Sequence, residues 1–365
     1  MKSLLIVTKS QYGYHIDPYK FGVYLKNDFR ICHISWDFGL PKIQGEGVQT
    51  KYLPRKGTKA SRFFRFLREI NTEIQTGAYD LVFLVYFPGC SILLQQNPQQ
   101  AFNVDIRTAT DTDSLFVNYW KDRLLRWETG RFPHRSILSH GLAKRLGFDH
   151  YHFLPLGGER FCSQDKAFDE LHLLYVGTLE NRNLLTFIRG LHRFIRHSEG
   201  TPFPPISCTI VGDGPGNERA DIEEYIQSNG LKKLIQTTGY VHNDQLYGFF
   251  EKATVGISFV PITPYYTHQP PTKTYEYLLS GLPVLATATE ENAKIISDTC
   301  GVLIADTEEA VVEGLEKLLQ NLNRFDSKII RQVCSEHSWQ TIAQTNLAPY
   351  LETISKAKKT SLQIG

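Results

Sequence analysis

QPPTKTYEYLLSGLPVLA, residues 269–286, encodes a loop, a short helix, a tight turn and a buried strand in direct succession. Pro270 and Pro271 lack an amide hydrogen and fix φ, so they suit the entry of a helix, and Gly281 suits a left-handed stop after Leu278, Leu279 and Ser280. The spacing predicts a helix of about two and a half turns. Pro283, Val284, Leu285 and Ala286 then read as a short inner strand. Lys273 and Glu276, three residues apart, are neighbours on the helix surface.

That pair has two readings. As a solvated ion pair it is worth a few tenths of a kcal/mol. The lysine, however, lies in the first turn, where the exposed amides carry about half a positive charge and disfavour a cation by about 0.3–1 kcal/mol. An anion reverses the sign. The open amides of Thr272, Lys273 and Thr274, together with the ammonium, would make a phosphate or diphosphate site, and Glu276 could accept hydrogen bonds from sugar hydroxyls.

At these residues the chain resembles the C-terminal half of family 4 glycosyltransferases, the retaining, nucleotide-sugar-dependent enzymes of the GT-B fold. The signature in that family has two glutamates separated by seven residues, the second followed five positions later by Gly-x-Pro-Val. Glu276, Gly281, Pro283 and Val284 match the second part. The first glutamate falls at His268, a departure that leaves open how the transferred sugar's hydroxyls are held. Members with a shorter Pro-x-Lys-x-x-Glu-Tyr loop are closer to this chain.

The resemblance implies an α/β protein with two Rossmann-like domains facing a central cleft. The first would comprise residues 1–164 plus 338–365 and bind the acceptor, its C-terminal helix crossing back; the second, 165–337, would bind the donor. It implies transfer of a sugar from a nucleotide diphosphate sugar to a saccharide or polyprenyl-linked saccharide in cell-surface polysaccharide biosynthesis, with retention and with no cofactor or metal. In the front-side route often described for such enzymes, the leaving phosphate oxygen helps deprotonate the acceptor, and domain closure excludes water. Lys273, Arg182 and helix amides would stabilise the departing diphosphate.

Length and composition agree with two packed domains. At 365 residues the chain is long for one core and suits two of about 150–200 each. Hydrophobic content of 41% and charged content of 21% are ordinary for a soluble protein. The six cysteines are scattered without a close pair, which argues against a zinc knuckle or disulfide framework and fits a reducing, cytoplasmic compartment. The first apolar run, Leu4 to Val7, is too short for a secretory core, and 81–94 is broken by Pro88 and Gly89, short of a membrane span.

Net charge of +2 hides an asymmetry. Residues 1–160 carry 22 Lys+Arg against 14 Asp+Glu, a balance of +8; residues 161–365 carry 18 against 24, a balance of −6. Part of the excess is Lys51, Arg55, Lys56, Lys59, Arg62, Arg65 and Arg68, interleaved with Phe63, Phe64, Phe66 and Leu67. This reads as a basic aromatic helix, either lying on an anionic membrane surface through Arg62, Arg65 and Arg68 or packed on the core with its arginines solvated. Near-neutral overall charge and the lack of a recognition motif argue against nucleic acid.

Apolar runs alternate with helical patterns as expected of parallel sheets. Strands are expected near 4–8, 81–86, 102–106, 136–138 and 152–155, then 173–178, 207–211 and 255–260, with 235–241 a further segment of this half. Helices are expected over 183–197 and 244–252, and helical pattern recurs over 338–354. In relatives, the loop over 9–19 approaches the donor diphosphate from the opposite domain, a role that suits Gly13; ordinary turn formation also explains that glycine.

In the second half, Gly177, Thr178, Arg182, Gly239, Tyr240 and Val241 should line the crevice at the strands' carboxyl ends. Many relatives carry Val-Gly-Arg where this chain has Val176-Gly177-Thr178, which leaves Arg182 as the nearest cation. Its planar fork suits a diphosphate; a helix-entry pairing with Glu180 is the alternative. The Gly212-Asp213-Gly214-Pro215 turn is equally a turn or a contact. Asp105 and Arg107, at the end of a strand where relatives often carry a His-Asp pair, are candidates for acceptor contacts. Asp111-Thr112-Asp113 spells a metal-holding pattern of another glycosyltransferase fold but follows a strand of the acceptor domain, so it is set aside. No histidine pair has ligand spacing. Two rivals share the architecture: a sugar-nucleotide epimerase, and a non-catalytic module, for which His268 and Thr178 speak.

Overall fold

The computed structural model describes residues 1–110, 112, 114–197 and 204–363. The chain divides into two units, Met1–Leu156 with Trp339–Gly365, and Gly157–Ser338. Residues 157–164 therefore pack with the second unit. The reason is local: the Phe161 amide donates to Ser280 Oγ at 3.0 Å, and its ring lies 4.6 Å from that of Phe250. The two crossing segments are paired as well, since the Gly158 amide donates to the His337 carbonyl at 2.9 Å.

In the first unit the strands are β1 (Lys2–Val7), β2 (Phe29–Asp37), β3 (Val48–Pro54), β4 (Leu81–Val85), β5 (Phe102–Ile106), β6 (His134–Ile137) and β7 (His152–Phe153). They form one parallel sheet in the order β3-β2-β1-β4-β5-β6-β7. The second unit contains β8 (Leu171–Val176), β9 (Ile206–Val211), β10 (Ile235–Gly239), β11 (Val255–Ser258), β12 (Val284–Thr287) and β13 (Gly301–Ile304), parallel in the order β10-β9-β8-β11-β12-β13. Each order reverses beside its first strand, which is the doubly wound arrangement, and ligands of such sheets bind beyond the carboxyl ends at that reversal.

β1 and β4 are apolar runs buried on both faces, as inner parallel strands require. β2 lacks that signature because His33 and Ser35 stand in it, yet both are buried. The edge strand β3 is mostly polar and half-buried. Its Lys51 pairs with Glu73 at 2.5 Å, so the basic segment is not one helix; the helix begins at Lys59 and runs to Thr76. Phe66 and Leu67 on it are core residues, with Phe66 stacked on Trp36 at 4.4 Å, whereas Phe64 is exposed. The aromatic part of the expected membrane face is thus largely taken by the core.

The C-terminal segment Trp339–Gly365 packs with the first unit, Trp339 meeting Phe21 edge-on at 5.9 Å. Its helix passes through a π-turn at Ile342–Leu347 before the α-helix Ala348–Gln363. All six cysteines are free and buried. Among the described residues no helix is long and apolar enough to cross a membrane.

Candidate functional site

The Thr272–Leu279 helix lies beside β11 and β12 and is entered through Pro271 in extended conformation. Gly281 follows with φ +77°, the left-handed turn that returns the chain into β12. The polar groups of Thr274 are engaged within the protein. Its hydroxyl bonds to Ser258 Oγ at 2.7 Å and Asn292 Oδ1 at 2.9 Å, and its amide donates to the Pro271 carbonyl, which corrects the expectation of three open amides and leaves those of Thr272 and Lys273. The helix is thereby braced to β11 and to the Glu290–Ala293 helix.

Lys273 is only 8% exposed, and its ammonium makes no hydrogen bond among the described residues. It lies 3.7 Å from the ring centroid of Tyr175 on β8. Burial first, and the Arg182 charge second, hold it well below the usual lysine range, while Glu276 pulls the other way. Arg182 stands in a turn between Asn181 and Asn183, both at positive φ, and its guanidinium stacks on Tyr266 at 4.7 Å while donating to the same residue's hydroxyl. The Glu180 pairing is not formed. Two cations thus converge near the end of β8 on aromatic faces, with no carboxylate bonded to either among the described residues.

The floor beneath them is glycine. A Cβ on Gly177 would stand 3.2 Å from Lys273 Nζ, and one on Gly212 would fall 1.8 Å from the Gly177 carbonyl oxygen. Gly212, at φ +150°, bridges to Gly239, so β8, β9 and β10 end in glycines that leave backbone uncovered. Thr178 caps its own turn: its carbonyl accepts from the Tyr175 hydroxyl at 2.7 Å and its hydroxyl from the Glu180 amide at 3.4 Å. Tyr240, just past β10, is exposed, and Val241 beside it is half-buried. Glu276 is half-buried one turn beyond Lys273. His268 pairs with Glu290 at 3.0 Å, so a carboxylate reaches the position of the expected first glutamate from another segment of the chain.

In the first unit, Asp105 and Arg107 are interior groups rather than an open acceptor surface. Asp105 is fully buried and accepts from Ser136 Oγ at 2.7 Å; Arg107 Nε donates to Asp17 at 2.6 Å and its NH1 to the Leu154 carbonyl at 2.8 Å. Burial pushes the Asp105 carboxyl up to about 6, against the pull of Arg107. The cluster ties the end of β5 to the Ile16–Leu25 helix, and Asp17 was not expected in it. Gly13, at φ +89°, lies in the turn closed by Tyr14 N to Gln11 O and packs on Ile43. Asp111 and Asp113 lie outside the described residues.

Tyr175 and Tyr266 escaped sequence reasoning, and Gly212 entered it only as part of a turn that read equally as a contact. Their aromatic and glycine characters are what buried strands and turns show anyway, and only proximity to Lys273 and Arg182 distinguishes them.

Residues 170–321, which include the Lys273 and Arg182 cluster but not Gly13, Asp105 or Arg107, match the family model described as Glycosyl transferases group 1. This stretch belongs to that family. Arg182, Lys273, Glu276 and the glycines at 177, 212 and 239 all lie within the matched residues. No curated protein matches the chain in sequence. Among solved structures, the chain is similar to sucrose-phosphate synthase from Thermosynechococcus elongatus, with a TM-score of 0.75, 16% identity, and 98% of this chain and 100% of that one covered. It is similar to the lipopolysaccharide outer core galactosyltransferase WaaB in its apo form, with a TM-score of 0.68, 13% identity, and coverage of 96% and 100%. It also resembles Anabaena HepE crystallised with UDP and glucose, with a TM-score of 0.67, 10% identity, and both chains fully covered. Such likenesses establish the architecture, two Rossmann-like units of the GT-B type.

Proposed function

We propose that the protein transfers a sugar from a nucleotide diphosphate sugar to a saccharide or lipid-linked saccharide acceptor, with retention at the anomeric carbon. The observation that carries this reading is the Lys273 ammonium, buried without a hydrogen bond beside Arg182 at the reversal point of the second sheet. Two cations held close together on aromatic rings raise each other's free energy; a diphosphate between them removes that cost. The leaving group is then stabilised by groups already in place, without a metal.

In the reaction, Lys273 and Arg182 take up negative charge that grows on the diphosphate as the bond to the anomeric carbon lengthens. A phosphate oxygen receives the acceptor's proton on the same face, so no pair of catalytic carboxylates is needed. Glu276 accepts hydrogen bonds from the donor ribose, and the Glu290 carboxylate beside His268 accepts from hydroxyls of the transferred sugar. Asp105 and Arg107 act as positioning groups that hold Asp17 and the loop before it. HepE was crystallised with UDP and glucose, and a uridine diphosphate sugar is the first donor to try. Polysaccharide assembly in the cytoplasm, next to the membrane that carries the acceptor, is the setting this chemistry fits.

A panel of nucleotide sugars is screened by thermal shift, and the best binder is assayed for product with and without acceptor. Acceptor-dependent transfer with retained configuration is expected. An epimerised free nucleotide sugar, or binding of no donor, would overturn the proposal.

A further inference from the structure

The helix Leu115–Thr129 turns its apolar side away from the protein. Phe116 is 73% exposed, Trp120 52% and Trp127 56%, and Leu124 and Tyr119 are exposed beside them. Residues 116, 120, 124 and 127 follow the i, i+4, i+8, i+11 spacing of one helix face. A helix that packed in the usual sense would bury that stripe. Here the inward side instead carries Leu125 and Thr129 and both acidic residues of the helix. Asp122 accepts from the Thr110 amide and from Arg145, each at 2.8 Å. Glu128 accepts from Gly89 N at 2.8 Å and from the hydroxyls of Tyr86 and Ser91, each at 3.1 Å.

The consequence for charge is one-sided. Lys121, Arg123, Arg126 and Arg131 are all exposed along and just past this helix, and its carboxylates are engaged on the other side. The cations flank the stripe and are held to it: the Arg131 guanidinium lies 4.0 Å from the Trp127 ring centroid, and Arg123 lies 6.0 Å from that of Trp120. Indole and phenol rings with nearby cations suit the headgroup level of a bilayer, where one side of the helix meets acyl chain and the other phosphate.

We propose that the Leu115–Thr129 helix docks the protein flat on an anionic lipid surface. The occupant is a bilayer rather than a protein because the charge complement is uniform and of one sign, and because the rings protrude as a ridge of long side chains. Four cations at an anionic leaflet, each strengthening binding about fivefold, with three buried rings between them, suffice for reversible attachment without a spanning segment. This assignment replaces the Arg62, Arg65 and Arg68 face of the Lys59–Thr76 helix, whose Phe66 is committed to the core. It does not rest on the transferase reading.

The chain supplies its own probe. Of four tryptophans, Trp36 and Trp339 are buried, so an emission shift on vesicles reports Trp120 and Trp127. The full chain is mixed at low ionic strength with vesicles of phosphatidylglycerol and phosphatidylcholine, or of phosphatidylcholine alone. Expected are at least about tenfold tighter partition to the anionic vesicles, a blue shift of emission, and release by salt. Phe116→Ser/Trp120→Ser/Trp127→Ser and Lys121→Glu/Arg123→Glu/Arg131→Glu variants should each lose at least about tenfold, while Arg62→Glu/Arg65→Glu/Arg68→Glu keeps most of the binding. Equal recovery from both vesicle types, an unshifted emission in the parent protein, or loss confined to the Arg62 set would overturn the proposal. So would a concentration-dependent dimer in ultracentrifugation that the serine variant abolishes, without vesicle binding by the parent.

Discussion

The ammonium of Lys273 lies 3.7 Å from the centroid of the Tyr175 ring and has no hydrogen-bond acceptor among the described residues. A cation over a ring face gains about 0.5–2 kcal/mol, less than the several kcal/mol that removing an ammonium from water costs. On the proposed reading, the donor diphosphate is the partner that offsets this cost.

Lys273→Ala and Arg182→Ala should each lower turnover at least about tenfold, because each removes charge stabilisation worth about 1.4 kcal/mol or more in the transition state. Steady-state kinetics with a donor that serves the parent protein check this, and near-normal rates in both variants would sink the assignment. Activity should persist in EDTA; loss restored by manganese would point to metal chemistry instead.

Donor binding should take up a proton. Burial and Arg182 depress the free Lys273 pKa, and a diphosphate raises it again. Above the free value, therefore, the unbound site is neutral and the bound one charged, so affinity falls as pH rises beyond that point. The same depression makes folding stability rise with pH through the window between the folded value and the ordinary 10.5, since there the unfolded chain binds more protons. Calorimetry at alkaline pH in buffers of different ionisation enthalpy measures the uptake, which Lys273→Met should abolish.

Glu276→Gln keeps the side-chain shape and removes a charged acceptor. Donor affinity should drop by about 1.5–3 kcal/mol, with the melting temperature of the free protein nearly unchanged. Equal dissociation constants for parent and variant in titration calorimetry would reduce Glu276 to a surface group.

Asp17→Asn should destabilise the first unit far more than Asp105→Asn at pH 8. Asp17 is the 2.6 Å hydrogen-bonded partner of a buried arginine that Asp105 meets only at 3.5 Å, and removing one partner of a buried ion pair costs about 3–5 kcal/mol. The Asp105 carboxyl, already raised from 3.8 to about 6 by burial, holds its charge at a penalty that asparagine lifts. Its contribution is present below about pH 3.8 and is lost as pH rises through about 6, so the parent-minus-variant difference in Asp105→Asn should decline across that window. Urea unfolding at several pH values gives both comparisons.

The sequence by itself determined the second unit's αβ step at 269–286, the positions of Lys273 and Glu276 on one short helix, and the alternation that makes both sheets parallel. These are local matters: Pro270, Pro271 and Gly281 act through their own dihedral angles, and β1 and β4 through continuous apolar runs. β2 and β3 were not legible, because His33 and Ser35 interrupt the pattern of an inner strand and an edge strand need not be apolar. Tertiary structure alone decided where the charges go. It placed Lys273 on Tyr175 and Arg182 on Tyr266, across 98 and 84 positions of sequence. It also enclosed Asp105 and Arg107 with Asp17, took Phe66 into the core, and left Trp120 and Trp127 outside. Periodicity tells which side chains share a face; whether that face meets protein, water or lipid depends on what the rest of the chain packs against it.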